Sequence, residues 1–221
     1  MIAPYYQDDH VTLYHGDCRE IMPGLRGDVV LTDPPYGIGL RYDEYDDSAA
    51  GLDDLIRDVF PVLLGAAPVV ALTPGVANVA KYPGPTWMLA WVQENSGTGS
   101  GPWGFNVWQP VLVYGPDPYL AKGQGRRPDV IKSASSGKEL DQRKRWGHPC
   151  PKPEDGWRKI MLRVSPTEGE TIIDPFCGSG TTLDVAKYAG RKAIGIELSE
   201  RYCEIAAKRL GQEVLDFGGV A

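Results

Sequence analysis

The stretch Thr171–Leu183, TIIDPFCGSGTTL, constrains the fold of this chain more than any other, because it reads as a buried strand, a glycine-rich turn and then a helix. A turn of this kind lets backbone come close to a ligand, and the helix N-terminus behind it offers N–H groups to an anion. Gly178 and Gly180 make a Gly-x-Gly pair, yet the third glycine of a dinucleotide fingerprint would fall three positions later, where Leu183 stands. Glu197 ends the following strand, KAIGIEL, seventeen residues beyond Gly180. An acidic group there accepts hydrogen bonds from both hydroxyls of a ribose, which favours a nucleoside-bearing cofactor over a pyrophosphate-bearing one. The alternative is a tight βα turn followed by a surface glutamate.

The rest of the chain supplies a sheet for this unit. Seven β-rich runs can be read: His10–Tyr14, Asp28–Thr32, Pro68–Thr73, Trp87–Gln93, Trp108–Tyr114, Thr171–Asp174 and Ala193–Glu197. Most are separated by helical or turn-rich stretches, the pattern of a largely parallel sheet with helices on its faces. Leu52–Leu64 carries Leu52, Leu55, Ile56, Val59 and Leu63 at helical spacing, and Pro61 is expected to kink this helix or cap its end. Thr182–Ala189 and Glu200–Leu210 also read as helices. The runs Trp87–Gln93 and Trp108–Tyr114 are joined by SGTGSGPWGFN without a helix, so they are expected to form an antiparallel pair at one edge. A chain of 221 residues suffices for one such domain, 1–221, with a small insertion.

Residues 116–153 break this rhythm, with few aliphatic side chains and no sustained periodicity, and 116–147 is taken as the insertion. Nine basic and four acidic residues give 116–153 a charge of +5 in a chain whose net charge is −6, so the remainder carries −11. The acidic total argues against a surface that binds nucleic acid all over, but leaves room for a basic face on an acidic body. The four cysteines are scattered without a CxxC pair and there are three histidines, so neither a metal site nor a disulfide framework is expected. No run approaches the roughly 20 apolar residues of a membrane span, and the N-terminus lacks a signal-peptide layout. A cytoplasmic protein is expected.

A second motif, Asp33-Pro34-Pro35-Tyr36, follows the apolar run VVLT and so sits at the C-terminal end of a strand, where α/β sheets hold their ligands. Two successive prolines make a stiff ledge. The exocyclic amino group of adenine or cytosine is a poor nucleophile because its lone pair is delocalised into the ring. Two acceptors for its hydrogens, the Asp33 carboxylate and the Pro34 carbonyl, draw the nitrogen towards tetrahedral geometry and aim its lone pair at a methyl donor. Tyr36 offers an aromatic face for the base, which must be flipped out of a duplex. A proline-rich turn with a buried tyrosine is the plainer reading of the tetrapeptide alone. The acidic stretch Asp43–Asp47 that follows would repel DNA, and the sequence offers no account of it.

Together DPPY and DPFCGSGTT resemble the amino-methyltransferase family of DNA modification enzymes, in the order of its circularly permuted β group. The match covers about residues 11–40 and 146–210. The resemblance implies a seven-stranded, mostly parallel Rossmann-like methyltransferase sheet with helices on both faces, in which the glycine turn and the DPPY ledge end neighbouring strands. It implies S-adenosylmethionine as cofactor, held by the glycine motif with Gly178, Gly180 and Thr181, by Asp174 at the methionine part, by Phe176 as pocket wall and by Glu197 at the ribose. Asp17 matches an acidic position that meets the cofactor's adenine amino group, although as a bare Asp before a helix it equally reads as a cap. HPCPKP resembles a family stretch, HPTQKP, that lines the methionine end, which implicates His148 and Lys152; Cys150 and Pro151 replace two of its polar residues.

The basic segment occupies the position of a target-recognition region. Arg126, Arg127, Arg143, Lys144 and Arg145 are the expected phosphate contacts, and the loop bearing Trp103 and Phe105 is expected near the groove or the flipped base. The leading reading is therefore a DNA methyltransferase acting on adenine N6, as a monomer or homodimer, in DNA methylation and restriction-modification. The family's N4-cytosine enzymes more often carry Ser where Asp33 stands. A catalytically silent cofactor- or DNA-binding protein, and a methyltransferase for RNA or a protein amide, are the other readings.

Overall fold

The computed structural model describes residues 2–39, 45, 47–94, 100–101, 103–134 and 152–212. The strands are β1 (Tyr6–Gln7), β2 (Val11–His15), β3 (Val29–Thr32), β4 (Val69–Leu72), β5 (Trp87–Glu94), β6 (Ser100–Gly101), β7 (Gly104–Phe105), β8 (Trp108–Tyr114), β9 (Val130–Ala134), β10 (Thr171–Asp174) and β11 (Lys192–Glu197). The helices are α1 (Cys18–Ile21), α2 (Ala49–Ala66), α3 (Pro118–Ala121), α4 (Glu154–Val164), α5 (Thr181–Tyr188) and α6 (Glu200–Leu210). A nine-stranded sheet has the order β1-β2-β11-β10-β3-β4-β8-β5-β9, with β6 and β7 as a separate hairpin. β2, β11, β10, β3 and β4 are parallel neighbours; β8 runs against β4 and β5, and β9 runs with β5. Only β1 and β8 oppose the common direction.

Strict alternation along the central strands builds two cores. Val29 and Leu31, Val69 and Ala71, Val11 and Leu13, and Ile172 face one side, with Trp157, Ile160 and Met161 of α4 and with Leu183 and Cys203. Val30, Val70, Leu72, Ile173 and Ile196 face the other, with Val59, Phe60 and Leu63 of α2. Side chains on a strand point alternately to opposite faces, so runs apolar at every position, such as VVLT and VVAL, require cover on both. Arg209, buried on α6, fastens the helices of the first face by donating to Asp184 (2.9 Å), Thr181 (3.1 Å) and Glu154 (2.7 Å).

All seven runs read from the sequence are strands, with ends shifted by at most one residue. Three expectations are corrected, the first of them the strand count, since the sheet has nine strands where seven were expected. The β5–β8 pair is antiparallel as expected but is not the edge, because β9, from within the residues taken as an insertion, pairs along β5. β9 escaped detection because its inward position Ser133 is polar; the buried hydroxyl accepts from Trp91 Nε1 (2.8 Å). Pro61 does not end α2, which runs through to Ala66 with Pro61 on its exposed side. Among the described residues no helix is long and apolar enough to cross a membrane.

Candidate active site

Every chemistry-bearing segment singled out above that lies in the described residues, apart from the basic pair Arg126 and Arg127, emerges at the C-terminal ends of the parallel strands. Asp17 follows β2, Glu197 ends β11, Asp174 ends β10 and Asp33 follows β3. β10 sends its helix α5 towards β11, whereas β3 sends α2 towards β4 on the opposite side. The gap between β10 and β3 is thus a topological switch point, where open α/β sheets leave a crevice for a ligand. The two motifs flank it, as the resemblance implied, and Thr32 Oγ1 bridges them by donating to Asp174 Oδ1 (2.7 Å).

On the β10 side the turn is held by backbone and carboxylates. Gly178 and Gly180 adopt φ of 52° and 81°, a region in which other residues are strained, and Gly180 is the N-cap of α5. Glu197 accepts from the backbone of Gly178 through Oε2 (2.9 Å) and of Ser199 through Oε1 (2.9 Å), which fixes the carboxylate at the mouth of the glycine turn. Asp174 is buried, and accepts from Thr32, from the Phe176 amide (3.1 Å) and from the Thr182 hydroxyl. Burial pushes its carboxyl up to about 6, against the pull of those three donors. Phe176 and Pro34 share an apolar hollow with Leu72, Tyr82 and the inner side of α2. Asp17 caps α1, accepting from Arg19 N (2.8 Å), and pairs with the Arg19 guanidinium, which holds it below the usual carboxylate range. Thr181 is buried, bonded to Arg209.

On the β3 side Asp33 is the centre of a network. Its Oδ1 accepts from the Tyr36 hydroxyl (2.7 Å), from the Thr73 hydroxyl and from Lys152 Nζ (2.8 Å). Lys152 also donates to the Tyr36 oxygen (3.0 Å), and its side chain is only 9% exposed. Burial alone would lower the lysine's affinity for its proton, but the Asp33 charge and Tyr36 more than offset it and hold the ammonium protonated. Burial first, then the Asp33 charge, pushes the Tyr36 phenol up. Tyr36 is therefore more than the aromatic face expected of it. The ledge is braced from β4's side: Asn78, buried, donates to the carbonyls of Tyr36 (2.8 Å) and Pro74 (3.2 Å). Asp47, from the acidic stretch, is buried and accepts from the amides of Gly37 (2.6 Å) and Ile38 (3.2 Å), so this carboxylate folds the chain behind DPPY rather than facing DNA.

Lys152, expected at the cofactor's methionine end, stands on Asp33 and Tyr36. Thr73 and Asn78 were missed; the signal available was that Thr73 ends the run neighbouring the one that carries Asp33. Arg126 and Arg127 are not brought to Asp33. Arg127 stacks on Tyr119 (4.7 Å), whose hydroxyl donates to the carbonyl of Leu162 (2.9 Å) near the C-terminal end of α4, towards the start of β10. Lys122, in the same segment, pairs with Glu170, just before β10. These groups therefore lie towards the opposite end of the sheet. His148, Arg143, Lys144 and Arg145 lie outside the described residues. Among the described residues no group of three or more His, Cys, Asp or Glu could hold a metal ion.

A mostly parallel α/β sheet with paired motifs at its switch point defines a ligand-binding doubly wound protein, and comparison supplies the family. The family model described as DNA methylase matches residues 87–208. A Type II methyltransferase, M.ScaI of Streptomyces caespitosus, is 28% identical over 95% of this chain and 84% of its own. The DNA adenine methyltransferase YhdJ of Escherichia coli (strain K12) is 27% identical over 90% of this chain and 82% of its own. Two solved structures share the fold: M1.HpyAVI in complex with SAM (TM-score 0.67, 22% identity, 91% of this chain and 100% of that one), and the cytosine-N4-specific PvuII DNA methyltransferase (TM-score 0.69, 18% identity, 96% and 90%). The chain belongs to the N6/N4 DNA methylase family.

Proposed function

We propose that the protein transfers a methyl group from S-adenosylmethionine to N6 of adenine in DNA. The observation that carries this reading is the carboxylate of Asp33, set at the switch point beside the glycine turn with one oxygen taken up by Tyr36, Thr73 and Lys152. The residues present fit the cofactor. Glu197 would accept from its ribose hydroxyls, Asp17 lies at the end of the strand next to Glu197, and the Gly178–Gly180 turn allows close approach. Asp174, Phe176 and Thr181 would shape the floor and wall, and His148 remains a candidate at the methionine end. When bound, S-adenosylmethionine supplies an electrophilic methyl group. Asp33 and the Pro34 carbonyl would accept the two amino hydrogens of a flipped base, while Pro35 keeps the ledge stiff and Tyr36 supports the base. Asp rather than Ser at position 33 favours adenine over cytosine, and an adenine-methylating relative aligned over most of the chain agrees.

The DNA surface is proposed at the same edge. Leu72 is level with Leu112 and that with Met88, while β5 continues to Glu94, so the β5–β8 ribbon overruns β4 by roughly 20 Å towards the side that bears Asp33. Beyond it Trp103 and Phe105 are exposed, at 101% and 79%. The stretch from Ala134 to Lys152, which carries Arg143, Lys144 and Arg145, also starts and ends at that edge. The test is incubation with labelled S-adenosylmethionine and unmethylated DNA, then digestion to nucleosides. N6-methyladenine is expected, and Asp33→Ala should slow single-turnover methylation by at least ~100-fold. N4-methylcytosine as sole product would keep the mechanism and overturn the base; absence of labelled product would favour a silent binder.

A further inference from the structure

Asp33 has two carboxylate oxygens, and the structure treats them unequally. Oδ1 takes the Tyr36 hydroxyl, the Thr73 hydroxyl and the Lys152 ammonium. Among the described residues Oδ2 accepts no hydrogen bond, and the side chain as a whole is 24% exposed. A carboxylate held at one oxygen by three donors from three segments of the chain cannot swing about its Cβ–Cγ bond without breaking them. Lys152 is the donor that ties the most together. It reaches Oδ1 at 2.8 Å and the Tyr36 oxygen at 3.0 Å, and its Nζ lies 5.2 Å from the centroid of the Tyr36 ring. The lysine is fixed in turn by Pro153, which restricts its backbone to extended conformations at the start of α4. A buried ammonium this far from water is retained only where a carboxylate compensates it. Asp174 and Tyr82 also feel the Asp33 charge, but neither hydrogen-bonds it.

We propose that Lys152 is a positioning residue for methyl transfer: with Tyr36 and Thr73 it pins Asp33 by Oδ1, leaving Oδ2 aimed out of the network to take a hydrogen of the target amino group. The inference rests on the reading of Asp33 as acceptor of that group. It assigns Lys152 to the acceptor half of the site rather than to the cofactor half, where its place in HPCPKP puts it by resemblance. Its loss frees the carboxylate to rotate and spoils the near-attack geometry of the amino nitrogen, without removing any contact to S-adenosylmethionine.

The test combines single-turnover methylation of DNA at saturating S-adenosylmethionine with calorimetric titration of S-adenosylmethionine, for the wild type, Lys152→Met, Asp33→Ala and the double variant. Lys152→Met should lower the rate at least tenfold with cofactor affinity within twofold of wild type. In the Asp33→Ala background the same substitution should cost nothing further, because its effect passes through Asp33. A weakened cofactor affinity with an unchanged rate would make Lys152 a cofactor ligand and overturn the inference. An additive loss in the double variant would overturn it as well, by showing action elsewhere. A wild-type rate in Lys152→Met beside a slow Asp33→Ala sinks the inference alone, whereas a wild-type rate in Asp33→Ala sinks the reading beneath it too. Should Lys152→Met fail to fold, Lys152→Arg carries the test. A guanidinium keeps the charge but not a single nitrogen bridging Asp33 and Tyr36. That variant should bind S-adenosylmethionine normally and methylate at least tenfold more slowly; a wild-type rate or weakened cofactor binding in it overturns the inference.

Discussion

Asp174 makes the stability of this protein depend on pH in a direction opposite to that of an ordinary paired carboxylate. Its carboxyl is buried where β10 meets the glycine turn, and burial pushes it up from 3.8 to about 6. Between those values the folded state holds a proton that the unfolded chain has released. The stability that Asp174 contributes is therefore full below pH 3.8, is lost as pH rises towards 6, and is flat above it, where both states are ionised. At 1.36 kcal/mol per decade the whole effect is about 3 kcal/mol, most of which falls between pH 4 and pH 7. Asp174→Asn removes the titration. The amide oxygen can still accept from the Phe176 amide, and the Thr32 and Thr182 hydroxyls can turn to suit the new group, so any other cost is an offset that does not vary with pH. Urea unfolding of both proteins at pH 4, 5, 6 and 7 isolates the effect, since the remaining carboxylates titrate in both. The variant should gain on the wild type by about 2 kcal/mol from pH 4 to pH 7. A difference constant to within about 0.5 kcal/mol would refute the argument that burial outweighs the three donors at this carboxyl.

Glu197→Ala should weaken S-adenosylmethionine binding by roughly ten- to a hundredfold in calorimetry, through loss of charge-assisted hydrogen bonds worth about 1.5–3 kcal/mol; unchanged affinity would remove Glu197 from the site. Gly156→Ala should destabilise by about 1–3 kcal/mol and lower the melting temperature by at least ~2 °C, because a Cβ there would stand 2.4 Å from the buried Trp91 ring. An unchanged melting temperature would show that the α4–sheet contact yields. In anisotropy titrations with duplex DNA, Trp103→Ala with Phe105→Ala should weaken binding at least tenfold, whereas Ser at Arg126 and Arg127 should leave it within twofold; the reverse order would move the DNA surface to the other end of the sheet.

The two motifs were legible because each is contiguous and its chemistry local: a strand, a turn that needs positive φ, and a carboxylate or ledge within four residues. The network around Asp33 was not, because its members come together only through strand order. Thr73 reaches Asp33 because β4 lies beside β3 in register, and Lys152 because α4 starts at the edge where β3 ends. The place of Thr73 at the end of the next run hints at the first relation, but no spacing in the sequence encodes the second. Basic charge was a poorer guide. Lys122 and Arg127 are basic in composition, but in the fold Lys122 pairs with Glu170 and Arg127 stacks on Tyr119. The net +5 of the segment therefore overstates the charge it can offer to phosphates.

The absent third glycine shows how a sequence pattern can be read correctly and its physical cause still lie elsewhere. In the dinucleotide fingerprint that glycine lets the helix press against the sheet. Here Leu183 fills the position and is fully buried, yet α5 still packs closely, because the opposing residue on β11 is Gly195. A Cβ at Gly195 would stand 2.6 Å from Leu183 Cδ1 and 3.0 Å from the Cys177 sulfur, inside the space that the leucine occupies. What the packing requires is one missing side chain at the contact, and either partner can provide it. Moving the glycine from helix to strand leaves the turn at Gly178 and Gly180 open to a ligand while Leu183 adds apolar burial to the core beneath it. A glycine three positions after the turn thus reports which side of the contact gives way, and its absence does not decide whether the turn binds a nucleoside.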